Sequence, residues 1–161
     1  SFPGLKTANR GISGDTTRGL LIRVKEDVLD LNPRAVVLLI GTNDLEEKAE
    51  PETVAANVRL LIAALKSKNP ALPIILCKVM PSHASKSRPK EKITRVNDLV
   101  DTLAKADPTI IRVDTWTLFA DANGDAKKEE FPDLLHPNAA GYKKMTEALS
   151  PVLTSLKLSS K

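Results

Sequence analysis

Cysteine and aromatic residues are scarce in this sequence. Its 161 residues include a single cysteine, Cys77, and only three Phe, one Trp and one Tyr. One cysteine excludes an intrachain disulfide and a cysteine-based metal site. None of the aromatic residues interleaves with the lysine clusters, as a base-stacking surface would require. No apolar run approaches the roughly 18 residues of a membrane span.

What remains is the composition of an ordinary globular domain. Apolar residues make up 42% and charged residues 27%, and the length suits a single domain over residues 1–161. The net charge of +4 comes from scattered lysines, which indicates a solvated surface rather than a nucleic-acid partner. We therefore expect a soluble domain. Its compartment stays open, since a lone buried cysteine is tolerated anywhere.

Short apolar runs alternate with longer segments of helical periodicity. The runs cover residues 35–40, 73–79 and 109–113, and their lack of alternation is typical of strands buried on both faces. Apolar residues recur at helical spacing over residues 17–31, 51–68, 93–103 and 138–149. This order predicts a three-layer α/β/α sandwich with a parallel sheet. Residues 114–137 are predicted to be a long irregular loop, a kind of segment that is usually functional or mobile.

Three polar segments lie where a ligand would bind such a sheet, beyond the carboxyl ends of its strands. They are residues 9–14, 41–44 and 133–138. Asp133 stands three residues before His136, so its carboxylate can orient the imidazole and leave the other ring nitrogen free as a base. The alternative is a turn-capping aspartate beside a surface histidine. The other histidine, His83, has no nearby acid in sequence and is interpreted as a loop residue or at most a substrate contact.

Two further residues are candidates to stabilise a developing oxyanion. The Asn43 carboxamide follows a predicted strand, and the backbone N–H of Gly14 is unobstructed by a side chain. Asn43 could equally be a structural turn residue, and Gly11 and Gly14 could simply form a loop. The residues by themselves leave these alternatives open.

The three segments together resemble the second, third and fifth sequence blocks of the SGNH (GDSL-type) hydrolases, especially bacterial esterases similar to platelet-activating-factor acetylhydrolase and carbohydrate acetylesterases. The resemblance runs from about residue 5 to the end of the sequence. It implies a flavodoxin-like fold and a serine ester hydrolase that acts on small, acetyl-type esters without metal or organic cofactor. Its partner would be a small-molecule or carbohydrate ester substrate. It also implies His136 as the base, Asp133 as its orienting acid, and Gly14 and Asn43 as oxyanion donors.

The family's nucleophile is not found in this chain. Gly14-Asp15-Thr16 comes close to the family's Gly-Asp-Ser, but the residues before it are not an apolar strand, and Thr16 is predicted to help start a helix. Ser13 belongs to the oxyanion block, and the other serines considered, Ser1, Ser82 and Ser85, lack the strand-then-elbow context.

The family's first strand and helix are therefore expected to be missing, with the serine on a segment that this chain does not contain. In the family that strand lies between the strand near residues 5–8 and the one at 35–40, so two rows of backbone polar groups should lose their partners. A longer enzyme, a strand from another copy or polypeptide, or a rearranged and inactive relative that binds carbohydrate or ester would each account for this. The first is the favoured hypothesis.

Overall fold

The computed structural model describes Phe2 and residues 4–158, which form a parallel sheet between layers of helices. The strands are β1 (Val36–Leu38), β2 (Ile74–Cys77) and β3 (Ile110–Val113). The helices are α1 (Thr17–Asp27), α2 (Thr42–Glu46), α3 (Pro51–Lys66), α4 (Lys90–Lys105), α5 (Thr115–Phe119) and α6 (Ala139–Ser155). Two 3₁₀ turns, Leu29–Leu31 and Ala84–Lys86, complete the regular structure of these residues.

The sheet has the order β1-β2-β3, and both pairings are parallel, with Ile74 opposite Val36 on one side and Ile110 on the other. All four residues of β2 are buried. One core cluster packs α1, α3 and α4 against one face of the sheet. A second cluster packs Leu149 and Leu153 of α6 against the other face. The predicted three-layer α/β/α architecture is confirmed.

One edge of the sheet differs from the expectation. A strand is predicted near residues 5–8, but these residues have no regular secondary structure, although Leu5 packs against the α6 side of the core. Within the described residues β1 is therefore an edge strand that pairs only with β2. Val37 and Leu39 at this edge are 41% and 37% exposed. An apolar edge strand with unpaired backbone groups is open to pairing with a further strand.

Several predicted boundaries also shift. The segment after β1, expected to be a polar loop, forms the short helix α2, and the predicted loop 114–137 begins with α5. Asp114 caps α5 by accepting a hydrogen bond from Thr117 N, a local contact that was not recognised in the sequence. Helix α1 ends at Asp27 and gives way to a 3₁₀ turn, which leaves Leu31 exposed. Thr16 starts α1 as predicted, since its side chain accepts from Gly19 N, and Asn138 caps α6 by accepting from Gly141 N.

A buried carboxylate joins the start of α1 to α2. Asp44 is 5% exposed and accepts hydrogen bonds from Thr17 N, at 2.9 Å for the closer oxygen, and from the Thr17 hydroxyl. Asn57 of α3 donates to the same hydroxyl oxygen at 2.9 Å. A carboxylate at a helix N-terminus also interacts favourably with the helix dipole. The contact therefore holds the segment before α1 beside the segment after β1.

We predict that Asp44→Asn lowers the free energy of unfolding by about 2 kcal/mol, because it replaces charge-assisted hydrogen bonds to buried donors. Urea unfolding followed by circular dichroism measures the change. The matched control is Asp98→Asn, which alters an exposed aspartate of α4 and should stay within about 0.5 kcal/mol of the parent. Equal effects of the two substitutions would show that the Asp44 contact does not stabilise the fold.

Candidate active site

The loop before α1 presents a glycine in a left-handed conformation. Gly14 has φ of 77°, and a Cβ atom added there would meet nothing within 4 Å. A turn with Asp15 N donating to Ile12 O precedes the helix, and Arg23 holds the Asp15 carboxylate from Nε at 3.0 Å and Nη2 at 2.5 Å. Only glycine takes this φ without steric cost, so the residue type follows from the turn itself.

Asn43 lies in the first turn of α2, just beyond the carboxyl end of β1. The turn passes through Gly41, with φ of 119°, where an added Cβ would lie 3.1 Å from Val54 Cγ1. The Asn43 amide Nδ2 donates to Asp15 O at 2.9 Å. Two segments 28 residues apart in the chain are therefore joined directly, and Asn43 lies beside the residue that follows Gly14.

A buried arginine also contacts Asn43, and sequence reasoning missed it. Arg88 is 2% exposed, and its Nη2 donates to Asn43 Oδ1 at 3.1 Å and to Glu46 Oε2 at 2.6 Å. It precedes a proline in the connection between β2 and α4. No periodicity or motif surrounds it, so only the tertiary structure distinguishes it from the many exposed basic residues.

Asp133 and His136 form the predicted carboxylate–imidazole pair. His136 Nδ1 lies 2.6 Å from Asp133 Oδ2, while Asp133 Oδ1 accepts from the backbone N–H groups of Leu135 and His136. The hydrogen bond from the imidazole is the largest of the effects that hold the pKa of Asp133 well below its usual range. With Nδ1 occupied, Nε2 is the ring nitrogen left to exchange a proton. The imidazole is 72% exposed and therefore accessible.

The loop carrying this pair is anchored to the connection between β2 and α4. Ser82 is 3% exposed, and its hydroxyl donates to Leu134 O at 3.2 Å. At the base of the loop the buried Phe131 ring packs edge-on against Phe119, with centroids 5.0 Å apart. Because Arg88 belongs to the same connection as Ser82, this one segment contacts both Asn43 and the His136 loop.

The remaining histidine and serines have other contacts. His83 Nδ1 lies 2.8 Å from Ser85 Oγ and accepts from Ser85 N, so it caps a 3₁₀ turn as a loop residue. It also lines an open groove of about 400 Å³ with Leu134 and Lys127. The Thr16 hydroxyl is engaged as the α1 N-cap. Ser1 lies outside the described residues.

Neither a metal site nor a membrane span is found where the structure is described. Across Phe2 and residues 4–158, no three His, Cys, Asp or Glu side chains are grouped so that they could hold a metal ion. No helix in that part of the chain is long and apolar enough to cross a bilayer.

We predict that His136→Ala raises the pKa of the Asp133 carboxyl towards its ordinary value, because the substitution removes the hydrogen bond that contributes most to lowering it. Carboxyl ¹³C NMR titration measures this directly. His83→Ala is the matched control and should leave the Asp133 titration unchanged. An unaltered Asp133 pKa in His136→Ala would mean that the two side chains are not paired in solution.

Known proteins resemble this chain in sequence over most of its length. Residues 2–144 match the sequence model of the GDSL-like lipase/acylhydrolase family. The platelet-activating factor acetylhydrolase IB subunit alpha2 of Homo sapiens is 28% identical over 156 residues, which are 96% of this chain and 67% of the relative. The platelet-activating factor acetylhydrolase IB subunit beta homolog of Drosophila melanogaster is 29% identical over 159 residues, which are 96% of this chain and 68% of the relative.

Solved structures of other proteins share the fold of this chain. The crystal structure of a GDSL-like lipase from Bacteroides thetaiotaomicron superposes with a TM-score of 0.79 at 27% identity, covering 90% of this chain and 74% of that one. A lipase/acylhydrolase from Enterococcus faecalis, at 21% identity and a TM-score of 0.70, shares the fold. The SGNH resemblance and the predicted class of carboxylic ester hydrolase are confirmed. The chain belongs to the GDSL-like lipase/acylhydrolase family.

Proposed function

We propose that this protein forms part of a serine ester hydrolase that cleaves small acyl esters, of the acetyl type, through an acyl-enzyme. The observation that carries the proposal is the 2.6 Å contact between Asp133 and His136, which leaves Nε2 of an exposed imidazole as a base. The names of the curated relatives, platelet-activating factor acetylhydrolases, support an acetyl group as the acyl part.

In the first half-reaction His136 Nε2 takes the proton of a serine hydroxyl while the serine oxygen attacks the ester carbonyl carbon. Asp133 accepts the hydrogen bond from Nδ1–H and stabilises the imidazolium that forms. The carbonyl oxygen becomes an oxyanion, to which Gly14 N–H and Asn43 Nδ2–H would donate. Collapse of the tetrahedral intermediate breaks the bond to the alcohol, which leaves with the proton from His136.

The second half-reaction returns the enzyme to its starting state. His136 takes a proton from water, and the hydroxide attacks the acyl-serine carbonyl in the same oxyanion site. The bond to the serine oxygen then breaks, and the serine regains its proton from His136. The carboxylic acid is released, and neither step requires a metal or an organic cofactor.

The serine is proposed to lie on a further strand that pairs with the free edge of β1. This position is supported by the edge of β1 that has no partner among the described residues, and by the exposed side chains of Val37 and Leu39. Ser82 and Ser85 do not serve instead, because Ser82 is buried and donates to Leu134 O, while Ser85 contacts His83. A segment of the same polypeptide, another copy of the chain or another polypeptide could each contribute the strand.

We predict that turnover of p-nitrophenyl acetate depends on that strand. The chain extended with an N-terminal strand and helix carrying Gly-Asp-Ser should hydrolyse the ester, whereas the 161-residue chain should not. The matched control is the same extension with alanine in place of its serine, which should be inactive. Ligand binding without turnover in every form would instead identify a non-catalytic carbohydrate- or ester-binding relative.

In the ester-hydrolysing form, His136→Ala should lower kcat by about a millionfold, because the serine loses its base.

Asn43→Ala should lower kcat by about a hundredfold or more with little change in KM, because its N–H stabilises charge that develops only in the transition state. Steady-state kinetics on p-nitrophenyl acetate measures both. His83→Ala, the control, should stay near the parent rate, and activity that survived in His136→Ala would assign the base elsewhere.

A further inference from the structure

Most hydrogen bonds of the Arg88 guanidinium go to the segment that holds Asn43. Nε donates to Thr42 O and to Thr42 Oγ1, at 3.2 and 3.1 Å. Nη1 donates to Lys86 O at 2.6 Å, and Nη2 donates to Asn43 Oδ1 and Glu46 Oε2. At 2% exposure the side chain is almost completely removed from water, which is unusual for a charged group.

The contacts of the Asn43 carboxamide define which of its atoms remains available. An asparagine side chain has one acceptor oxygen and two N–H donors. Its oxygen accepts from Arg88, and Nδ2 donates to Asp15 O. One N–H is left over for a ligand. A flipped amide would place its NH₂ group against the guanidinium, where two donors meet, so the arginine selects the orientation in which nitrogen faces the Gly14 loop.

We infer that Arg88 is a positioning residue for the oxyanion donor, acting through Asn43 rather than on the substrate. The inference rests on the proposed function. The cationic hydrogen bond to Oδ1 holds the amide in one orientation and withdraws electron density from it, which strengthens Nδ2–H as a donor. Arginine suits the task because its planar fork reaches Thr42, Lys86 and Asn43 at once, which a lysine ammonium cannot do in the same geometry.

Glu46 provides a control within the same cluster. It shares Nη2 with Asn43 but is 55% exposed, and its carboxylate does not belong to the site. Glu46→Gln therefore removes the salt bridge of Arg88 while leaving the hydrogen bond to Asn43 in place. If Arg88 affects the Asn43 amide only through its salt bridge with Glu46, then Glu46→Gln should change that amide as the Arg88 variants do.

The first test uses the 161-residue chain and needs no catalysis. In ¹H–¹⁵N NMR spectra, Arg88→Lys and Arg88→Gln should shift the side-chain amide signals of Asn43. The hydrogen-exchange rate of these amide protons should rise by about tenfold, because one charge-assisted hydrogen bond to the side chain is lost. Glu46→Gln should leave them near the parent values. Backbone amide signals of β2 show whether each variant is folded, and Arg88→Lys serves if Arg88→Gln is not. Unchanged Asn43 signals in a folded Arg88 variant would overturn the inference.

The second test is a double-mutant cycle in the ester-hydrolysing form. Arg88→Gln should lower kcat by about tenfold, with KM little changed, and should have almost no further effect when Asn43 is already alanine. If the kcat losses of Arg88→Gln and Asn43→Ala multiply in the double variant, Arg88 acts through the general fold, and the inference is overturned. A parent form that does not hydrolyse esters would count against the proposed function alone, because the Asn43 amide signals still decide what Arg88 does.

Discussion

The arrangement of the site depends on the buried hydrogen bonds between Asp44 and Thr17. They fasten the first turn of α1 to the helix that follows β1, although these segments are 27 residues apart in the chain. A buried carboxylate is costly unless its oxygens are paired, and here they accept from a backbone N–H and a hydroxyl at a helix N-terminus. Once the two elements are joined, Gly14 and Asn43 are carried on neighbouring segments, and the Asn43 amide reaches Asp15 O.

A second constraint comes from the connection between β2 and α4. Because β2 is the central strand, its carboxyl end lies between those of β1 and β3, and the segment that leaves it can touch both neighbours. Arg88 in this connection holds Asn43, and Ser82 holds the His136 loop through Leu134 O. The connection after the central strand thus contacts both parts of the candidate site, although it supplies none of the proposed acid–base or oxyanion groups.

The edge of the sheet links the architecture to the proposed chemistry. β1 has a partner on one side only within the described residues, and apolar side chains at that edge stay partly exposed. Backbone polar groups at an open edge can pair with a strand from elsewhere at little structural cost. An added strand there would extend the same parallel sheet whose strand ends carry the site, which is where ligands bind in folds of this kind.

The layered α/β/α architecture was predictable from the sequence, since apolar runs buried on both faces and helical stripes between them are local patterns. The sequence also placed Asp133, His136, Gly14 and Asn43 in three polar segments, and the Asp133–His136 contact was predictable because it spans only three residues. Tertiary structure decided that residues 5–8 form no strand, since pairing depends on a neighbour that local sequence does not specify. It also decided that Arg88 is buried against Asn43, because a contact across 45 residues leaves no periodic trace in the chain.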